Sequence, residues 1–141
     1  MKSEGFWPRS MLIDANIFLE VLLEQQLSKK CKEILEKIQT GENKAFVSTF
    51  TIDAIALLMN RYKIPSEKII LFLNSLFNYK GLVIYNVTMK DRIDSVYFMD
   101  KYGLDYEDAI TLGAALSCKC GGILSLDKHF DKIKEIKRVE P

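Results

Sequence analysis

At 141 residues, 48% hydrophobic and 28% charged, the chain suits one compact domain with a core able to fold alone, and two domains would be crowded. Its formal net charge of +1 gives no global field toward nucleic acid or an anionic membrane, so any such affinity has to come from local patches. No run reaches the roughly 20 apolar residues of a membrane span, and "MKSEGFWPRS" has no signal-peptide h-region. Cys31, Cys118 and Cys120 are odd in number and lack paired zinc spacing, which reads as reduced thiols in a cytoplasmic protein.

Residues 1–10 read as an N-terminal extension, and "MLID" (11–14) as the first strand. Further β-rich runs follow at "KAFVS" (44–48), "LVIYN" (82–86) and "GILSLD" (122–127), with a fifth, "IKRV", near the end. Between them, apolar residues recur at i, i+3 and i+4 in "CKEILEKI", "IDAIALLMNRY", "KIILFLNSLF" and "IDSVYFMDKY", the period of amphipathic helices. Gly41, Pro65, Gly81, Gly103 and Gly121-Gly122 fall between the segments as stops and turns. Strands apolar almost throughout are buried on both faces, so residues 1–141 are expected to form a single α/β domain. It would be a three-layer sandwich around a central, mostly parallel sheet of four to five strands with right-handed crossovers.

In such a sheet ligands bind beyond the carboxyl ends of the strands. Asp14 ends "MLID" and Asp127 ends "GILSLD"; Asp108 opens the helical run "YEDAITLGAALSCKC", and Asp53 lies early in the helix after "KAFVS". Taken singly, each could be an N-cap or a macrodipole partner. Asp53, flanked by Ile52, Ala54 and Ile55, is expected near the core. Together the four map to one edge, where two carboxylates 4 Å apart repel by about 4 kcal/mol at an effective dielectric of about 20. A cation should therefore bind there, and with oxygen donors, Asn16 and Ser125 nearby and no clustered histidine, the ion is expected to be Mg²⁺ or Mn²⁺. The lone His129, beside Lys128 and Phe130, is read as a surface residue rather than a ligand.

"LIDANIFLEVLL", "VSTFTIDAIALL", "YEDAITLGAAL" and "ILSLDKHF", in this order over nearly the whole chain, resemble the motifs of PIN-domain nucleases. The resemblance implies a parallel α/β sandwich whose acidic residues bind Mg²⁺ or Mn²⁺ and cleave RNA, and many members are VapC-like toxins held inactive by an antitoxin. Asp14 matches the family's first Asp with Asn16 as its polar companion, Asp108 the Asp of its "DA" helix motif, and Asp127 the Asp of its "T-x-D" strand end, with Ser125 in place of Thr. The second motif departs: where the family usually carries Glu, this chain offers Asp53, about 1.5 Å shorter in reach, or Ala54 if the register shifts by one.

The expected activity is metal-dependent endoribonuclease cleavage by Asp14, Asp53, Asp108 and Asp127, with metal held by Asp14, Asp108 and Asp127 and supported by Asn16 and Ser125. The rival readings are a degenerate PIN domain that binds RNA or protein without cutting, favoured by the second motif, and a phosphoacceptor receiver domain. The latter lacks its acidic pair after the first strand. Lys128, Lys132, Lys134, Lys137, Arg138, Lys101, Lys119 and Arg61 are candidate guides for an RNA backbone. The resemblance further implies an antitoxin partner and a homodimer. "KIILFLNSLF" and "SVYFMDKY" could serve the dimer, although their pattern is read as core-facing.

Overall fold

The computed structural model describes residues 7–141. Strands β1 (Met11–Ile13), β2 (Ala45–Ser48), β3 (Leu82–Tyr85), β4 (Gly122–Leu124) and β5 (Lys137–Val139) pair in parallel throughout, in the order β3-β2-β1-β4-β5. Helices α1 (Ala15–Leu22), α2 (Ser28–Gln39), α3 (Thr49–Arg61), α4 (Ser66–Ser75), α5 (Met89–Tyr102) and α6 (Tyr106–Ser117) cover the sheet.

The period-2 alternation of the central strand sorts them into layers. Met11 and Ile13 point into a core shared with α1 to α4, through Phe18, Ile38, Ile55 and Phe72. Leu12 points the other way, into a core built with α6 and the inner side of α5 through Leu112, Ala115, Phe98 and Met99. The three-layer α/β sandwich expected from the sequence is thus present, with five parallel strands. Among the described residues no helix is long and apolar enough to cross a membrane, and the three cysteines are free.

The two-sided burial expected of the strands fails at β3. As an edge strand it leaves Val83 and Ile84 exposed. Nor are the two apolar helices wholly core-facing. On α4 only Phe72 is buried while Ile70 and Leu71 are exposed, with Phe77 80% exposed just beyond. On α5 Met89, Ile93, Val96 and Tyr97 face outward. Of the expected N-terminal extension, residues 1–6 lie outside the described residues. Residues 7–10 pack onto the domain, Trp7 Nε1 donating to the Lys44 carbonyl (3.0 Å) and Gly121 N to that of Ser10 (2.9 Å).

The residues that α5 buries fully, Asp91 and Ser95, are polar. Gly113 of α6 leaves room for close approach, since a Cβ there would sit 3.3 Å from Ser95 Oγ. At this contact Asp91 is 4% exposed and accepts from Tyr85 Oη (2.5 Å), Ser117 Oγ (2.6 Å) and Thr88 N (2.9 Å). The last bond completes a capping box with Thr88. Burial opposes the charge, but the donors from Ser117, Thr88 and Tyr85 outweigh it and hold the carboxyl below the usual range. One side chain thereby ties β3, α5 and the end of α6 together.

Asp91→Ala leaves these donors unpaired and should cost about 2–4 kcal/mol in urea unfolding at pH 7. Because the folded pKa is depressed, the carboxylate's contribution is complete above its unfolded pKa of about 3.9 and is lost as pH falls through the lower folded value. The wild-type advantage over Asp91→Asn should therefore be constant above about pH 5 and shrink below about pH 4. A pH-independent difference contradicts this.

Candidate functional site

Parallel pairing brings Ile13 opposite Leu124, so Asp14 and Ser125 leave their strands side by side. Asp14 caps α1, its Oδ1 accepting from Ala15 N at 2.8 Å. Its Oδ2 accepts from Ser125 Oγ at 2.6 Å and from Asn16 Nδ2 at 3.3 Å. The Ser125 hydroxyl in turn accepts from Asn16 Nδ2 (3.2 Å) and Asp127 N (2.9 Å), and Asn16 Oδ1 accepts from Leu126 N (3.2 Å). Asn16 and Ser125 thus lock the β1–α1 turn to the segment after β4.

That segment carries Asp127, which caps the short 3₁₀ helix Lys128–Lys132 through His129 N at 2.9 Å. Asp108 arrives from the first turn of α6, whose cap is the neighbouring Asp105, accepting from Asp108 N at 2.8 Å. His129 Nδ1 lies between the two carboxylates, 3.1 Å from Asp108 Oδ2 and 3.0 Å from Asp127 Oδ1. Reading His129 as a surface residue is right about its exposure, since the side chain is 66% accessible, but misses these contacts.

Burial dominates the electrostatics. It raises Asp14 to about 6, aided by the fields of Glu107 and Asp127 and opposed by the bonds from Ser125 and Ala15. Burial likewise raises Asp108 to about 6; His129 opposes, while Asp127, Asp105 and Asp14 add to the rise. Glu107 is raised by burial and by Asp105 and Asp127, and His129 by its bond to Asp108 and the charge of Asp127. Glu107 and Asp105 join this electrostatic neighbourhood unanticipated. Their only signal in the sequence was the acidic run "DYED" around Asp108.

Asp53 is exposed rather than near the core. The buried stripe of α3 is Thr51, Ile55 and Met59, and two residues past Thr51 is a turn of about 200°. Phe50 meets Tyr106 of α6 edge-on at 6.1 Å, and half-buried Ala54, one turn on, lies between Phe50 and the buried stripe. Asp53 is turned about 60° to the other side of Phe50, about 100° from Ala54, and is exposed. Arg138, expected as a phosphate guide, is bound by Asp131 (2.7 Å), Glu140 (2.9 Å) and the Ser125 carbonyl (3.0 Å), and its side chain is 8% exposed.

The donors fit a divalent ion. A carboxylate oxygen of buried Asp108, one of half-buried Asp127 and a ring nitrogen of exposed His129 lie within 4.8 Å of one another, and Asp14, expected among the ligands, is outside this set. The PIN domain family model matches residues 11–136. The chain belongs to the PIN domain family. Solved structures with this PIN fold include Mycobacterium tuberculosis VapC20, described as a sarcin-ricin loop cleaving toxin, which is 11% identical with a TM-score of 0.74 over 93% of this chain and 99% of that one. VapBC2 from Rickettsia felis, bound to a fragment of its promoter DNA, is 13% identical with a TM-score of 0.70 over 93% and 98%. A toxin-antitoxin complex from Klebsiella pneumoniae is 19% identical with a TM-score of 0.64 over 89% and 94%. No curated protein matches this sequence.

Proposed function

We propose that this PIN domain is a divalent-metal-dependent endoribonuclease that cuts RNA at the carboxyl edge of its sheet. The observation that carries the reading is that a carboxylate oxygen of Asp108 and one of Asp127 lie within 4.8 Å of each other, near enough to buried Asp14 for their charges to be felt, with burial raising both Asp14 and Asp108 to about 6. Asp108 and Asp127 would hold Mg²⁺ or Mn²⁺, with Asp14 behind them. A bound ion there supplies neutralisation of charge at the scissile phosphate and a water of lowered pKa. The protein's own part is to fix the acids: Ser125 and Asn16 orient Asp14, the α6 cap orients Asp108, and the 3₁₀ turn orients Asp127. Lys128, Lys132 and Lys134 are exposed around this segment and suit the RNA backbone.

In this reading α3 contributes no carboxylate, which the exposure of Asp53 and the half-burial of Ala54 support. The same observation favours the second reading, a degenerate domain that holds RNA without cutting it. Purified protein with Mn²⁺ should cleave single-stranded RNA, EDTA should stop it, and Asp108→Asn or Asp127→Asn should each lower turnover by about 100-fold or more. Ala54→Glu should raise turnover and Asp53→Ala leave it within about twofold, since only one of two adjacent helix positions aims at the site. RNA binding without cleavage in wild type and Ala54→Glu alike would favour the degenerate reading. A large loss in Asp53→Ala would restore Asp53 to the site.

A toxin role fits the same chain. Its structural neighbours include toxin-antitoxin complexes, and apolar faces of α3, α4 and α5 stand uncovered, as a protein partner requires. On α5 exposed Met89, Ile93, Val96 and Tyr97 recur at i, i+4, i+7 and i+8, and Val83 and Ile84 of the sheet edge are exposed as well. A second copy on this face, and an antitoxin elsewhere, are the partners proposed. Sedimentation of the isolated chain should give a dimer that Ile93→Glu dissociates. A wild-type monomer at high micromolar concentration removes the homodimer.

A further inference from the structure

The imidazole of His129 is placed differently from an ordinary surface histidine. Its Nδ1 is 3.1 Å from Asp108 Oδ2 and 3.0 Å from Asp127 Oδ1, two acids delivered by different elements. Its position is built. Asp127 caps the turn that presents it through His129 N, and Phe130, the next residue, is fully buried and anchors the turn in the core. Beyond it, Asp131 is held by Arg138, which also grips the Ser125 carbonyl at the start of the same segment. The ring is therefore presented by a segment fixed at both ends.

For an ion bound at about 2.1 Å, neighbouring ligands in an octahedral shell are about 3.0 Å apart. The two nitrogen–oxygen separations already have that length. We propose that His129 is a direct metal ligand, forming with Asp108 and Asp127 a mixed nitrogen–oxygen set that selects Mn²⁺ over Mg²⁺. This rests on the reading of the acidic edge as a metal centre and goes beyond it by naming a ligand and a metal preference. Imidazole suits transition ions, whereas Mg²⁺ prefers oxygen and gives up its water reluctantly. A site of carboxylates alone would take either ion with little discrimination.

The chain contains one histidine, so a nitrogen signal from coordinated imidazole can have only one source in tag-free protein. Calorimetric titration of wild type and His129→Ala with MnCl₂ and MgCl₂ at pH 8, with pulsed EPR of the Mn²⁺-loaded samples, tests the assignment. Wild type should bind Mn²⁺ more tightly than Mg²⁺ and show ¹⁴N coupling to the bound ion. His129→Ala should lose that coupling and weaken Mn²⁺ binding by about 10-fold or more, with Mg²⁺ binding changed by less than about twofold. His129 is exposed, so the variant should fold as wild type does. Mn²⁺ bound by wild type without ¹⁴N coupling overturns the His129 assignment and leaves the acidic nuclease reading standing. Absence of Mn²⁺ binding at millimolar metal overturns both.

Discussion

Asp14 and Ser125 meet because β1 and β4 run parallel with Ile13 opposite Leu124, so the first residue beyond each strand emerges at the same level of the sheet. Everything else at this edge is referred to that pair. The Ser125 hydroxyl donates to Asp14, accepts from Asn16 and accepts the Asp127 amide, fixing a carboxylate on each side of itself. A one-residue slip of β4 would turn Ile123 and Leu124 to the wrong cores and carry Ser125 out of reach. The apolar packing of the two layers and the geometry of the site are therefore set by the same register.

That register concentrates negative charge where water is scarce. Asp14 and Asp108 are both buried, and Asp127, Glu107 and Asp105 add their fields to one or both of them. The remote acid Asp91 shows the contrast. Donors from three elements hold its pKa down, and it serves as a structural tie. Asp14 has the Ser125 and Ala15 donors, but they do not outweigh its burial. A carboxylate left uncompensated in this way is spare capacity for a cation.

The alternation of apolar strands with amphipathic helices made the sandwich legible, because both periods survive in the burial of Met11, Leu12 and Ile13 and of Thr51, Ile55 and Met59. Asp14 and Asp127 could be placed at the sheet edge for the same reason: they follow apolar runs directly. Other features depend on neighbours distant in sequence. β3 has the composition of an inner strand, and only the strand order reveals it as an edge. Apolar residues on α4 and α5 look alike whether they face the core or a partner. Asp53 looked buried because its flanking residues are apolar, but helical rotation separates adjacent positions by about 100°. His129 gave no periodic signal, since its contact with Asp108 is made across 21 positions and on a 3₁₀ turn.

On the proposed function, the acidic edge destabilises the fold until a cation fills it. Asp14 has a folded pKa of about 6 against an unfolded value of about 3.9, so near pH 7.5 its charge costs the metal-free fold about 1–3 kcal/mol. The direct measurement is the melting temperature of wild type and Asp14→Asn at pH 7.5, first in EDTA and then in millimolar Mn²⁺. Asp14→Asn should melt several degrees higher without metal, and Mn²⁺ should raise wild type by more than the variant, narrowing or reversing the order. A variant that melts lower than wild type in EDTA, or a wild type indifferent to Mn²⁺, would contradict this.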